Sequence, residues 1–390
     1  MKTLRTLAAG FTIACGLGAC VSPVPLTPSS NLPEIQKYLG DWHPQLEDQR
    51  QSWPAHRVVA KDGSGTHASL QAAIDSLPSA NSGAASGLAS RSFILIKPGE
   101  YREIVCAKDK APFTLYALGN PKDVVVIESR YNGLAKAPGQ IASPCHPVAK
   151  DASFGTFGST TMAVHSNHVQ LVGFTVANDA LEKVFDGKGY PAGAGESGGA
   201  QGVALSLKGD QIHLKDMRLI SHQDTLFADR AGAVQGRVLV EKSMIAGDVD
   251  FIFGGARLVI DQSLIISRAG RRTPGNGGHV LAPSTAPQEP FGFLVIRSQL
   301  LGQPGLVKGA ISVGRAWDFG VKRGEWVPGT SPNGEATVTQ SELGPHFGEG
   351  LALWGRSTAG REPSYEGPQA IRMREFGNVR VKALAPQQLP

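Results

Sequence analysis

The sequence predicts an all-β protein wound as a parallel β-helix, and two patterns and one absence lead there. Alternating apolar residues, a polar or glycine break and a second short apolar pair recur from Phe93 onward, in His168–Val176, Gln211–Ile220, Arg237–Ile245, Arg257–Ile265 and Gly292–Leu300. The first apolar residues of these runs, Val169, Ile212, Val238, Leu258 and Phe293, step by 43, 26, 20 and 35 residues. Those steps fit one or two units of roughly twenty residues plus loops. Composition agrees, since 48 glycines, 26 prolines and few aromatics point to many short elements joined by turns. Hairpin dipeptides such as Asn-Gly rarely join the runs, which argues against an antiparallel sandwich. In a solenoid each coil stacks on the last and buries a continuous core. With 390 residues and no long polar tract or heptad run, one main folding unit is expected.

The first element serves export. Lys2 and Arg5 precede an apolar run, Leu7 to Leu17, that is too short to span a bilayer. Leu17-Gly18-Ala19-Cys20 is similar to a bacterial lipobox, which makes residues 1–19 a signal peptide and Cys20 the lipidated first residue of the mature chain. Val21 stands where an aspartate would signal inner-membrane retention, so the similarity implies an outer-membrane lipoprotein facing the periplasm or the cell surface. Residues 20–57 then form an anchored tether, Pro/Ser-rich from Val21 to Pro33, with an N-terminal extension, and residues 58–390 form the folded domain. Membrane contact is expected through the lipid only. Losing residues 1–19 lowers the formal charge from +5 to +3, too mild a balance for nucleic acid but tolerant of an acidic polymer.

Along the domain, Val58–Gly65 reads as a strand and turn, and Leu70, Ile74 and Leu77 mark one face of a short helix stopped by Pro78. That helix is suited to capping the solenoid. Two Gly/Pro-rich stretches, Glu182 to Ala200 and Arg268 to Pro290, interrupt the repeat. Inserts on one side of a solenoid often wall a groove. Cys106 and Cys145 sit in a chain bound for a disulfide-permitting compartment, so they either bridge or remain buried thiols.

Chemistry centres on Asp224 and Asp250, two carboxylates inside apolar, strand-like stretches where an unpaired charge is costly. They are 26 residues apart, and Gln223 follows Gln201 by 22. One coil apart in a parallel solenoid means about 4.7–4.9 Å apart in space. Gln201, the Gln223-Asp224 pair and Asp250 are therefore expected on three successive coils in one patch, with the longer interval bulging as a loop. Two such close carboxylates should divide into a protonated acid and a charged nucleophile. Glutamine amides nearby could donate to a developing oxyanion.

Gln201-Gly-Val-Ala-Leu205, Gln223-Asp-Thr-Leu-Phe227, Asp250-Phe-Ile-Phe-Gly254 and Gly314-Arg-Ala-Trp317, in that order, resemble the motifs of the pectinesterase (pectin methylesterase) family. Lys61–Gly65 and Gly99–Glu103 extend the resemblance over residues 58 to 345. The resemblance implies a right-handed parallel β-helix that demethylates methyl-esterified galacturonan, polymer or oligomers, as a monomer with no metal and no organic cofactor. It implies Asp250 as nucleophile, Asp224 as general acid and base, Gln201 and Gln223 as oxyanion donors, and Arg315 as the group orienting Asp250. Trp317, Phe253 and Phe227 would offer aromatic surface to sugar rings. Ala316 stands where proline is usual and is expected to loosen the arginine turn; Phe227 replaces a tyrosine and Gly202 an alanine, and Asp229–Gly236 lengthens the interval between the aspartates.

Other signals are weaker. Gly195-Glu-Ser-Gly-Gly199 fits a nucleophile-elbow pattern but lacks a leading strand and a following helix, so a flexible loop is expected. His165 and His168 lack a third metal ligand nearby in sequence, and the arginines of 268–272 read as a charged loop that could touch an acidic polysaccharide. Two alternatives stand beside the esterase: a related enzyme acting on another acyl substrate such as a thioester, and a non-catalytic polysaccharide-binding β-helix.

Overall fold

The computed structural model describes residues 32–44, 50–80, 91–182, 184 and 189–386. Cys20 and the rest of the lipobox lie outside them. Among the described residues the repeat resolves into three parallel sheets of ten, nine and seven strands. Each apolar run of the sequence is two strands on neighbouring sheets. Gln211–Ile220, for example, supplies Ile212–Lys215 to the ten-stranded sheet and Arg218–Ile220 to the nine-stranded one, and Leu226–Ala228 completes the coil on the third. Registers follow the sequence intervals, with Ile212 opposite Val238, Val238 opposite Leu258 and Leu258 opposite Phe293.

Alternation along each strand sends one set of side chains inward. In a single coil Ile212, Leu214, Met217, Leu219, Leu226 and Ala228 meet in the centre, and the same positions repeat from coil to coil as one core. The corner between the ten- and nine-stranded sheets is turned by a left-handed residue in each of five coils: Asp216, Lys242, Gln262, Arg297 and Gln340 have φ of 52°, 50°, 49°, 48° and 51°. Serines follow four of these, and they stack. The Oγ of Ser243, Ser263, Ser298 and Ser341 accepts the backbone N–H one coil earlier at 3.0, 3.1, 3.0 and 3.1 Å. Each bond satisfies a buried donor that the corner removes from the strand ladder.

The expected helix is present as Leu70–Asp75, with Leu70, Ala73 and Ile74 buried in the core. Ser69 accepts from the Ala72 N–H at 3.2 Å, and Glu103 accepts from the Leu70 and Gln71 N–H groups at 2.9 and 3.0 Å. The helix start is thus capped by a side chain and a carboxylate. A helix not anticipated, Pro33–Leu39 in the N-terminal extension, lays Ile35, Tyr38 and Leu39 on the outer face of the ten-stranded sheet against Leu239, Val259 and Leu294. Cys106 and Cys145 form a disulfide, their Cα atoms 5.6 Å apart.

One expectation needs correction. Arg268 to Pro290 is not a continuous loop, because His279–Pro283 is a strand of the seven-stranded sheet. Val280 and Leu281 are fully buried there. Flanking glycine and proline hid a strand too short to alternate visibly.

Candidate active site

The candidate residues gather on the outer face of the seven-stranded sheet. Gln201 and Gln223 form a parallel bridge, the Asp224 N–H donates to the Val249 carbonyl at 3.1 Å, and Leu226 pairs with Ile252. Gln201, Gln223-Asp224 and Asp250 therefore occupy three successive coils. The extra residues of the long interval leave the coil at Asp229–Gly236 as a small hairpin in which Ala231 and Val234 exchange backbone hydrogen bonds.

Neither aspartate lies within a strand, contrary to the sequence reading. Both occupy turns just before the strands Leu226–Ala228 and Ile252–Gly254. Extending the alternation back from the core residues Leu226 and Ile252 would point both carboxylates inward. Left-handed backbone at Asp224 (φ 68°) and Asp250 (φ 47°) breaks that alternation, and both side chains line a cavity of about 540 Å³. Aspartate tolerates this conformation better than most residues. Gly254 is required for a different reason: a Cβ there would stand 1.9 Å from the Ala228 carbonyl oxygen.

Arg315 reaches this cavity from the end of the strand Ser312–Gly314 and forks onto Asp250, Nε to Oδ1 at 2.9 Å and Nη2 to Oδ2 at 2.5 Å. The turn that carries it is not loosened by Ala316. Arg315 and Trp317 donate backbone bonds to Leu281 and Pro283, and the Ala316 carbonyl accepts from Thr358 at 3.0 Å. Among the described residues, Asp224 has no such partner. Burial first, and then the charge of Asp250, hold its carboxyl well above the usual carboxylate range. Gln201 keeps its Oε1 buried with no hydrogen-bond partner among the described residues, an amide not committed to structure. Gly202 fits beside it because a Cβ would come within 3.1 Å of the Asn178 Oδ1. His279, which sequence reading missed, hydrogen-bonds Ser312 Oγ at 2.6 Å and is lowered to about 4 by burial, so it is neutral at neutral pH.

Aromatic rings floor the cavity. Phe227 and Phe253 are 4.8 Å apart, Phe253 and Trp317 5.5 Å, and Trp317 and Phe319 4.7 Å. Trp317 and Phe253 line the cavity as expected of them, but Phe227 does not: it is 1% exposed beneath Phe157 and Phe253. Its substitution for tyrosine removes a hydroxyl from a packed position, not from the wall. Phe157 and Phe319 take the outer places, and no sequence motif marks them.

The walls are tied down. His222 lies between two carboxylates, Nδ1 3.2 Å from Asp248 and Nε2 3.4 Å from Glu182. Arg268 holds Glu182 at 2.6 and 2.9 Å, and Arg271 forks onto Asp248. Burial opposes charge on Asp248, yet Arg271 and His222 hold its carboxyl below the usual range. The Gly195–Gly199 segment, expected to be flexible, is likewise fastened: Glu196 accepts from Thr273 and from Asn276, and with Ser197 it lines the cavity. His165 and His168 do not form a pair; His168 Nδ1 meets Gln211 at 3.0 Å, while His165 lies 3.4 Å from Ser206.

Known proteins share this framework. The pectinesterase family model matches residues 56–319. A pectinesterase of Ralstonia solanacearum is 34% identical over 315 residues, covering 79% of this chain and 74% of that relative. An Escherichia coli protein named for acyl-CoA thioester hydrolysis is 27% identical over 312 residues, covering 72% and 65%. Among solved structures, rice weevil pectin methylesterase, a right-handed parallel β-helix, superposes with a TM-score of 0.69 at 25% identity, covering 90% of this chain and 94% of that one. The chain belongs to the pectinesterase family of carboxylic ester hydrolases.

Proposed function

We propose that the protein removes methyl groups from methyl-esterified polygalacturonate or oligogalacturonides through an aspartyl acyl-enzyme. The observation that carries this reading is the unequal treatment of two neighbouring carboxylates: Asp250 is forked by Arg315, and Asp224 is buried with its carboxyl held well above the usual carboxylate range. Asp250 attacks the ester carbonyl carbon. The resulting oxyanion accepts hydrogen bonds from the amides of Gln201 and Gln223. Asp224 gives its proton to the departing methoxyl oxygen, methanol leaves, and the acyl group remains on Asp250 as an anhydride. Asp224, now a carboxylate, takes a proton from water as that water attacks the acyl carbon. Asp250 departs as carboxylate, and the product is the free uronate. Trp317 and Phe253 present aromatic surface to the sugar rings.

The thioesterase-like name of the Escherichia coli relative supports a second reading, in which the same aspartates open an acyl thioester. Methanol release from methylated oligogalacturonides and polymer, measured beside thiol release from acyl-CoA, separates the two. We expect methanol release by the wild type and none by Asp250→Ala. Thiol release without methanol would assign the second reading, and full activity in Asp250→Ala would end both. We propose further that Cys20 carries the lipid anchor of an outer-membrane lipoprotein.

A further inference from the structure

Five side chains beside the turns of the two aspartates, Glu182, His222, Asp248, Arg268 and Arg271, form a cluster that the proposed chemistry leaves unused. His222 stands two residues before Asp224, and Asp248 two before Asp250. Both pairs are 26 residues apart, so the contact of His222 Nδ1 with Asp248 Oδ2, at 3.2 Å, crosses the same gap between coils that separates the two aspartates. His222 and Asp248 are 1% and 4% exposed. Burial leaves their contact little screened.

Two backbone bonds also cross the gap here, from the Asp248 N–H to the His222 carbonyl at 2.9 Å and from the Asp224 N–H to the Val249 carbonyl at 3.1 Å. Neither fixes a side chain. The side-chain contact adds a further tie, and its partners are themselves anchored: Arg271 forks onto Asp248, while Glu182, held by Arg268, faces His222 Nε2 at 3.4 Å. Arg268 spans the gap as well, its Nη1 donating to the Ser221 carbonyl at 2.8 Å and its backbone N–H to the Gly247 carbonyl at 2.7 Å. Each imidazole nitrogen thus meets a different, fastened carboxylate.

We propose that His222 is a positioning residue that, through Nδ1 and Asp248, sets the separation of Asp224 and Asp250. The inference rests on the esterase reading above. Asp224 serves as the acid only while it holds its proton. Burial and then the charge of Asp250 raise its carboxyl, Arg315 opposes them, and the weaker effects of Asp248 and Arg271 raise and lower it. Widening the gap weakens the hold of Asp250 and admits water, so the Asp224 carboxyl moves down. Loss of imidazole charge alone would act the other way, since removing a cation raises a neighbouring carboxyl. The sign separates positioning from through-space charge.

The test uses side chains that each copy one ring nitrogen. The amide of asparagine reaches the place of Nδ1 and that of glutamine the place of Nε2, so His222→Asn keeps the bond to Asp248 and His222→Gln gives it up. Methanol release from a methylated oligogalacturonide is followed across pH with the full chain. Activity falls as pH rises through the Asp224 pKa, and the position of that limb in kcat/KM does not depend on the fraction of active enzyme. His222→Gln should move the limb down by about one pH unit and lower kcat by about 100-fold. His222→Asn should keep the wild-type limb and most of the wild-type kcat. A limb unmoved or raised in His222→Gln overturns the positioning role alone, and so does a limb lowered in His222→Asn, whichever way the glutamine variant folds. No methanol from the wild type overturns the esterase reading and this inference together.

Discussion

Asp224 and Asp250 are the same side chain in different surroundings. The left-handed turns put both on the outer face, and Arg315 then commits to only one of them. Asp224 keeps its proton in the folded state beyond the pH at which the unfolded chain gives it up. Between those two pKa values the native state binds more protons, so stability falls as pH rises through the window. Asp224→Asn has no proton to lose. Urea unfolding should find it more stable than wild type at neutral pH and converging with it below about pH 4; a difference independent of pH would contradict the assignment. The clustering of Gln201, Gln223, Asp224 and Asp250 was legible in sequence because their spacings match coil lengths, whereas Arg315 was named through the order of the family motifs alone. Phe157, His279 and Phe319 were not legible, since each reaches the cavity through loop or register geometry that no spacing encodes.

At the scale of elements, the corners and walls carry more than the sequence pattern suggests. Ser298 accepts the Ser263 N–H and donates to the Ile296 carbonyl, with both groups buried. Ser298→Ala should lower unfolding free energy by about 1–3 kcal/mol, because it leaves a buried donor without a partner. An unchanged urea midpoint would mean that water replaces the hydroxyl. The Lys-Ser, Gln-Ser, Arg-Ser and Gln-Ser pairs at 242, 262, 297 and 340 were visible as breaks in the repeat, yet their stacking is a property of register. The wall network makes a sharper demand. Asp248→Asn leaves Arg271 buried without its counter-charge and should cost about 3–5 kcal/mol in the same measurement. A loss under 1 kcal/mol would place that pair in solvent and undo the description of a fastened wall. The strand His279–Pro283 shows why walls were hard to read: glycine and proline on both sides look like a loop until the neighbouring strands claim the segment.

For the whole molecule, the solenoid was the most legible feature, since one repeat seen in five runs already implied a continuous core. Three sheets were not distinguishable, because successive strands in a run belong to different faces. The N-terminal helix Pro33–Leu39 packs on the ten-stranded sheet, whereas the cavity of the two aspartates opens on the seven-stranded one. Cys20→Ser should move the protein from the membrane fraction to the soluble one without changing its rate of methanol release, as fractionation would report. The proposed mechanism requires an acyl group carried by Asp250. Its most direct test is partitioning with hydroxylamine, comparing methyl and ethyl esters of the same oligogalacturonide. One acyl-enzyme common to both predicts the same ratio of hydroxamate to acid whichever alcohol leaves, and no hydroxamate from Asp250→Ala; a ratio that changes with the leaving alcohol, or turnover that survives in Asp250→Ala, would contradict it.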